Sequence, residues 1–581
     1  MKISRLCFLS LLCLALPGIR AEARDGYPLG PDSQTKPGVP QGTVTHSVFK
    51  TSKIFPGTER DVWVYVPKQY DSKIPAAVMV FQDGGGFQSR EGQFRVPVVF
   101  DNLISSHQMP VTVAIMVNPG TVPAANANSL PRYNRSHEYD GVTDDYARFL
   151  QEELLPEVGK SLNLTKDPAG RGLCGASSGG ICSFIAAWEH PEWFSKVVSF
   201  VGSFTDLQGG NTYASAIRKY EPRPIRVVLQ DGSADQDIYS GVWFLGNTDV
   251  AMALKFAGYE YQFVTGTGGH NGEQGGQILP DALKFVWKDY PNQVPRPFNV
   301  RQPVMEVVKP GETWKDITPA GSTITGLTSG ADGTVHIVTA AGTVHTVTAD
   351  SALQESHTTV PGAGAVATLP DGGIAIAEPS HRRIVKLGKD GKLRTLATGV
   401  IASSLVAAHN GDLYVTEEKA GCVWLIKPNG KKTVVDRGLP GADGVTLTPD
   451  QTLLHVSTKA PGKYVYSYVV LPNGELGHKQ AYFDIRLDYA TAESYAAGMA
   501  TDTQGRLYVT SNTGIQLLDQ AGRVIGILEN PAHTPTTALA FGGLSRDQLF
   551  TIAGGKLYTR TVRAHGVTPF TAAIKPPGPR L

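Results

Sequence analysis

Between Gly172 and Cys182 the chain reads GLCGASSGGIC, and Gly175-Ala176-Ser177-Ser178-Gly179 fits the pattern Gly-x-Ser-x-Gly. That pattern places a serine hydroxyl on a sharp strand-to-helix turn, where an imidazole can take its proton and make it a nucleophile. With 64 glycines in 581 residues the pattern arises by chance at roughly even odds, so its surroundings must decide. LQDGSADQD (229–237) supplies Asp231, Asp235 and Asp237, and TGTGGHNGEQGG (265–276) supplies His270. Serine, acid, histidine is the chain order such a site requires, with the carboxylate fixing the imidazole tautomer. Asp235 is the expected acid, because a carboxylate a few residues past a strand end can reach back to the histidine. Asp237 is the runner-up, and Asp231 is expected to serve the turn. An oxyanion needs backbone N–H donors, expected from Ser178, directly after the nucleophile, and from Gly85 in FQDGGGFQ (81–88).

These residues need a scaffold that brings strand ends together. From about Thr45 to Tyr290, apolar β-branched runs alternate with helical periodicity. Strands are expected at 61–67, 76–84, 111–120, 170–175, 196–202, 224–232 and 260–266, and helices at 143–162, 247–257 and 280–289. Continuous apolar strands alternating with helices predict a mostly parallel sheet covered on both faces. Ser177, Asp235 and His270 each follow a strand, at the carboxyl edge where such sheets bind ligands.

After Pro291 a proline-rich, aperiodic stretch (291–314) reads as a linker. Beyond it helical periodicity nearly vanishes and one plan repeats: ADGTVHIVT (331–339), PDGGIAIAE (370–378), HNGDLYVTE (409–417), PDQTLLHVS (449–457), TQGRLYVTS (503–511) and, more loosely, SRDQLFTIA (545–553). All-β repeats of roughly forty residues predict a propeller, here with six blades. The fold class is therefore multidomain: an α/β domain over 40–290, a linker over 291–314 and an all-β propeller over 315–570.

Formal net charge is +1, which gives no electrostatic case for nucleic acid or an anionic membrane. Residues 1–23 combine Lys2 and Arg5, an apolar run too short to span a bilayer, and small residues near Ala21 and Ala23. That is the pattern of a cleavable signal peptide, so a periplasmic or secreted protein without a membrane anchor is expected. Three cysteines remain beyond it, Cys174, Cys182 and Cys422, too few for a disulfide framework. No Cys/His spacing suggests zinc.

On RDVWVYVPKQYD, VFQDGGGF, NRSHEYD, GASSGG, LQDGSADQD, GVWFLGN and GGHNGEQGG, residues 60–290 resemble the esterase-D and enterochelin-esterase-like branch of the α/β-hydrolases, close to carbohydrate esterase family one. The resemblance implies the triad Ser177–His270–Asp235 and an ester substrate, acyl groups on carbohydrate, polyol or aryl compounds. It also implies pocket positions at Arg135, Glu138 and Trp243. Residues 315–565 resemble the senescence-marker-protein/gluconolactonase family, on GADGVTLTPDQTLLHVS and AAGMATDTQGRLYVTS. That family holds a divalent metal in its channel. The matching positions here are Thr325, Ser403, Asp443 and Ala497, which leave Asp443 as the single carboxylate, too few charged oxygens for a hard cation. The expectation is a serine carboxylic-ester hydrolase needing no cofactor, acting on a small-molecule or oligosaccharide ester. The alternative is a metal-dependent lactonase housed in the propeller.

Overall fold

The computed structural model describes residues 26–579 except 351, 460–461, 488, 490 and 492; the expected signal peptide lies outside the described residues. The first half is built on an eight-stranded sheet: β1 (Thr43–Phe49), β2 (Arg60–Val66), β3 (Ala77–Gln82), β4 (Thr112–Val117), β5 (Arg171–Ala176), β6 (Lys196–Phe200), β7 (Arg226–Gly232) and β8 (Tyr261–Gly266). Their spatial order is β1-β2-β4-β3-β5-β6-β7-β8. β1 and β2 pair antiparallel, as do β2 and β4, and every other pairing is parallel.

The central strands β3 to β7 are buried along nearly their whole length, which is why they read as continuous apolar runs rather than alternating ones. Helices α1 (Val96–Ser105) and α7 (Glu273–Trp287) cover one face through Phe100, Leu103, Leu283 and Val286. The other face packs against α2 (Arg135–Tyr139), a helical run α3 (145–158) with a π-type turn at Phe149–Leu154, α4 (Ser178–Glu189), α5 (Tyr213–Lys219) and α6 (Trp243–Ala257). Cys174, Cys182 and Cys422 are free and buried, small apolar fillers of the two halves.

The second half is a ring of six sheets. Each of the six repeats seen in the sequence supplies the second strand of one blade: Val335–Thr339, Ile374–Glu378, Leu413–Glu417, Leu453–Thr458, Leu507–Ser511 and Gln548–Ala553. Lys315–Asp316, at the start of the propeller, pairs with Lys556–Thr561 as the outermost strand of the last blade, so the two ends of the propeller close the ring.

The halves dock through a built interface. Glu221 receives two hydrogen bonds of 2.8 Å from Arg560, both side chains being buried, and its N–H donates to Ile527 O. Gln302, in the segment expected as a linker, donates to the carbonyls of Ile217, Arg218 and Tyr220. Phe483, Ile485 and Ile527 of the propeller join the hydrophobic core of the first half. Among the described residues no helix is long and apolar enough to cross a membrane.

Candidate active site

Ser177 sits between β5 and α4 with φ 60° and ψ −125°, a conformation that a non-glycine residue adopts only at a cost of order 1–3 kcal/mol. The neighbouring glycines make that turn sterically feasible. A Cβ on Gly175 would lie 2.3 Å from the carbonyl oxygen of Gly179, and one on Gly180 would lie 2.5 Å from Ser199 Oγ. The turn lifts the Ser177 hydroxyl off the sheet edge.

His270, after β8, brings its Nε2 to 2.8 Å from Ser177 Oγ, and its Nδ1 lies 2.7 Å from Asp235 Oδ1. Asp235 follows β7, and its side chain is fully buried. The His270 ring stands edge-on to Trp243, with centroids 5.7 Å apart, and Trp243 Nε1 donates to Ser203 Oγ, which lies 3.4 Å from Ser177 Oγ. The three residues that the sequence pointed to are thus brought together. Asp237, the runner-up, lies exposed in a hairpin (237–242).

Asp231 does more than shape a turn. It is buried, accepts from Gly232 N–H and Asn247 Nδ2, and lies beside the Asp235 carboxylate. Burial and the adjacent Asp235 raise the Asp231 carboxyl to about 9, while the His270 contact and Asp231 hold Asp235 low against its own burial. The opposed shifts favour the ionised form of Asp235, which faces the imidazole, over that of its neighbour Asp231.

The Ser178 N–H is the first of α4, where a helix has no internal acceptor to offer and its dipole favours negative charge. The expectation for Gly85 needs correction. Its N–H donates to Asn118 Oδ1 at 3.0 Å, because Asn118 follows directly on β4 and its amide oxygen reaches the loop. That amide already has an acceptor.

Arg135, at the start of α2, clamps this loop. It gives two hydrogen bonds to the Asp83 carboxylate, at 2.9 and 2.8 Å, and a third to Ser178 Oγ at 3.0 Å. Burial works against its charge, but Asp83 raises its pKa overall. Glu138 is the second correction: it does not line a pocket. Its side chain is fully buried and takes hydrogen bonds from Arg60 at 2.7 and 3.0 Å and from the Gly120 N–H at 3.1 Å. The Arg60 guanidinium in turn lies over the Phe149 ring at 4.2 Å. Arg135 reaches Asp83 and Ser178, whereas Glu138, three residues on in the same short helix, reaches Arg60 and the Gly120 amide. The missed residues Asp83, Asn118 and Ser203 lie one to three positions beyond strand ends, a signal too common to single them out. Tyr27 was equally hidden: its hydroxyl accepts from Thr267 N and Gly268 N and ties the N-terminal segment to the His270 loop across 240 residues.

In the propeller channel, Asp443 pairs with the Lys459 ammonium at 2.9 Å. Ser403 Oγ accepts from Glu418 N–H, and Thr325 Oγ1 donates to the carbonyls of Val338 and Ala363. A protein cation occupies the one carboxylate, and both hydroxyls are engaged by backbone. This residue set does not fit a hard divalent cation, which takes six or more oxygens.

Residues 52–285 match the family model described as "Putative esterase", and residues 335–554 match that of the "SMP-30/Gluconolactonase/LRE-like region". The chain is 24% identical over 212 residues to a gluconolactonase of Zymomonas mobilis, an alignment covering 31% of this chain and 58% of that protein. Among solved structures, the enterobactin esterase of Shigella flexneri aligns with 21% identity and a TM-score of 0.35, over 45% of this chain and 63% of that one. A gluconolactonase of Xanthomonas campestris aligns with 16% identity and a TM-score of 0.38, over 43% and 90%.

Proposed function

We propose that this chain, which joins an esterase-family domain to an SMP-30/gluconolactonase-like propeller, is an exported serine hydrolase of carboxylic esters. The observation that carries the reading is the continuous relay from Ser177 Oγ through His270 to Asp235, with both hydrogen bonds under 3 Å. His270 Nε2 takes the proton as Ser177 Oγ attacks the acyl carbon. Asp235 holds the imidazole tautomer and steadies the imidazolium. The tetrahedral oxyanion forms against the Ser178 N–H at the head of α4. His270 then protonates the departing alcohol, and water, activated in the same way, releases the acid and frees Ser177.

The substrate we favour is an acyl ester of a carbohydrate, polyol or aryl compound. Tyr239, 91% exposed, tops the hairpin between Asp235 and Trp243 and offers an open aromatic face of the kind such rings stack on. Its test is a panel of acetylated and feruloylated oligosaccharides against simple alkyl esters, in wild type and Tyr239→Ala. Preference for the saccharide esters that falls with Tyr239→Ala supports this class, and equal rates on alkyl esters reject it. The nucleophile is tested separately with a fluorophosphonate. Phosphonylation with loss of fluoride at Ser177, absent in His270→Ala, is expected; labelling of another residue contradicts the assignment.

A further inference from the structure

α4 carries Ser177 at its head, and its other end, twelve residues on and about 18 Å away, meets the propeller. There a cleft of about 950 Å³ opens along the seam, lined from both halves by Trp188, Glu189 and Arg223 on one side and Arg486, Asn512 and Glu529 on the other. At its rim three side chains of unlike origin converge. His190, the residue directly after α4, and Glu192 come from the first half. His533 comes from the connection between the fifth and sixth blades.

Glu192 Oε1 lies 2.6 Å from His190 Nδ1 and 3.7 Å from His533 Nε2, and the two rings are 5.4 Å apart. One donor atom from each of the three lies within 4.8 Å of the others. Two nitrogens and one carboxylate oxygen at 2.0–2.1 Å from a tetrahedral ion stand about 3.3 Å apart, so shifts of about an ångström close the set. The surroundings orient the donors. His190 Nε2, the nitrogen facing away from Glu192, lies 3.2 Å from Asp144 Oδ2, the carboxylate–histidine arrangement that fixes the tautomer of a ligating imidazole. Trp193 stacks on the His190 ring at 3.6 Å and 7°, which holds the ring plane. His533 is delivered by a turn in which both Ala532 (φ 52°) and His533 (φ 51°) are left-handed.

We infer that His190, Glu192 and His533 form a binding site for a borderline divalent cation of the zinc class, which clips the propeller to the first half at the seam, with a fourth position open to the cleft. The donor set of two imidazoles and one carboxylate suits zinc and is too nitrogen-rich and too small for calcium or magnesium. The site is remote from Ser177 and acts on the joining of the halves rather than on ester chemistry.

Zinc is the probe, titrated into untagged, chelator-stripped full-length chain against a chromophoric chelator. The expected result is one zinc per chain at micromolar affinity or tighter, undisturbed by millimolar calcium or magnesium. His533 is 59% exposed on its side chain, so His533→Ala should fold normally. Removing a ligand should weaken binding beyond the ~10–100-fold that loss of an orienting partner alone produces. Glu192→Gln should do likewise, and His565→Ala, an exposed histidine elsewhere on the propeller, should change nothing. Saturating zinc should raise the melting temperature of wild type and not of His533→Ala. Ester turnover should be the same in wild type and His533→Ala, so this proposal can fail while the hydrolase reading stands. Zinc binding that is absent in wild type, or equally tight in His533→Ala, overturns it and leaves an ion-pair cluster only.

Discussion

Arg560, on the last blade, and Glu221, between α5 and β7, face each other through two parallel hydrogen bonds of 2.8 Å in a seam where neither is exposed. Arg296 adds a third contact at 3.3 Å to the same carboxylate. A buried pair adds little net stability over an apolar isostere, but removing one partner strands the other's charge. Glu221→Gln should therefore destabilise the chain by about 3–5 kcal/mol, whereas Glu221→Leu with Arg560→Met should restore much of that loss. Denaturant unfolding of wild type and the two variants checks this; equal loss in single and double variants would contradict it.

The opposed shifts of the neighbouring Asp231 and Asp235 carboxyls make a prediction about pH. Asp231 is neutral in the folded protein until pH approaches about 9, because burial and Asp235 oppose its ionisation. Above that, two adjacent carboxylates repel and the hold of Asp235 on His270 loosens. Wild-type kcat/KM should fall on the alkaline side near pH 9. Asp231→Asn, which cannot ionise, should keep near-normal turnover at pH 7 and lose that alkaline limb. Superimposable profiles would show that Asp231 does not govern it.

Asp235→Asn removes the charge that fixes the His270 tautomer and should lower kcat by roughly ten-thousand-fold. Asp237→Asn, exposed on the hairpin, should change it less than about twofold. Steady-state kinetics on one activated ester distinguish the two.

Arg135 bridges Asp83 and Ser178, so Arg135→Gln should let the loop at Asp83–Gly86 drift from the head of α4. A misplacement of about 1 Å costs on the order of a hundredfold in rate. The expected result is a fall of that size in kcat with thermal stability little changed; unchanged kcat would remove Arg135 from the site.

Much of this was legible in the sequence for local reasons. The elbow at Ser177 is written in its glycines, and strands buried on both faces announce themselves as unbroken apolar runs. The six blades each repeat one turn and one strand, so even a loose copy such as SRDQLFTIA could be placed. What escaped depends on partners far along the chain. Glu138 reads as a pocket residue until Arg60, 78 residues away, takes both its oxygens. Gly85 reads as a free amide until Asn118 accepts from it, and nothing in the neighbourhood of His533 hints that it meets Glu192 across the seam. Pairings of that kind belong to tertiary docking, which leaves no periodic trace.

The central claim is that Ser177 is the nucleophile of a hydrolase that does not draw on a metal. Its most direct test is turnover of p-nitrophenyl acetate by wild type and Ser177→Ala, each with and without EDTA. The predicted result is activity in wild type that EDTA leaves unchanged, and a loss of roughly a million-fold, down to background, in Ser177→Ala. Activity that persists in Ser177→Ala and disappears with EDTA would place the chemistry elsewhere in the chain.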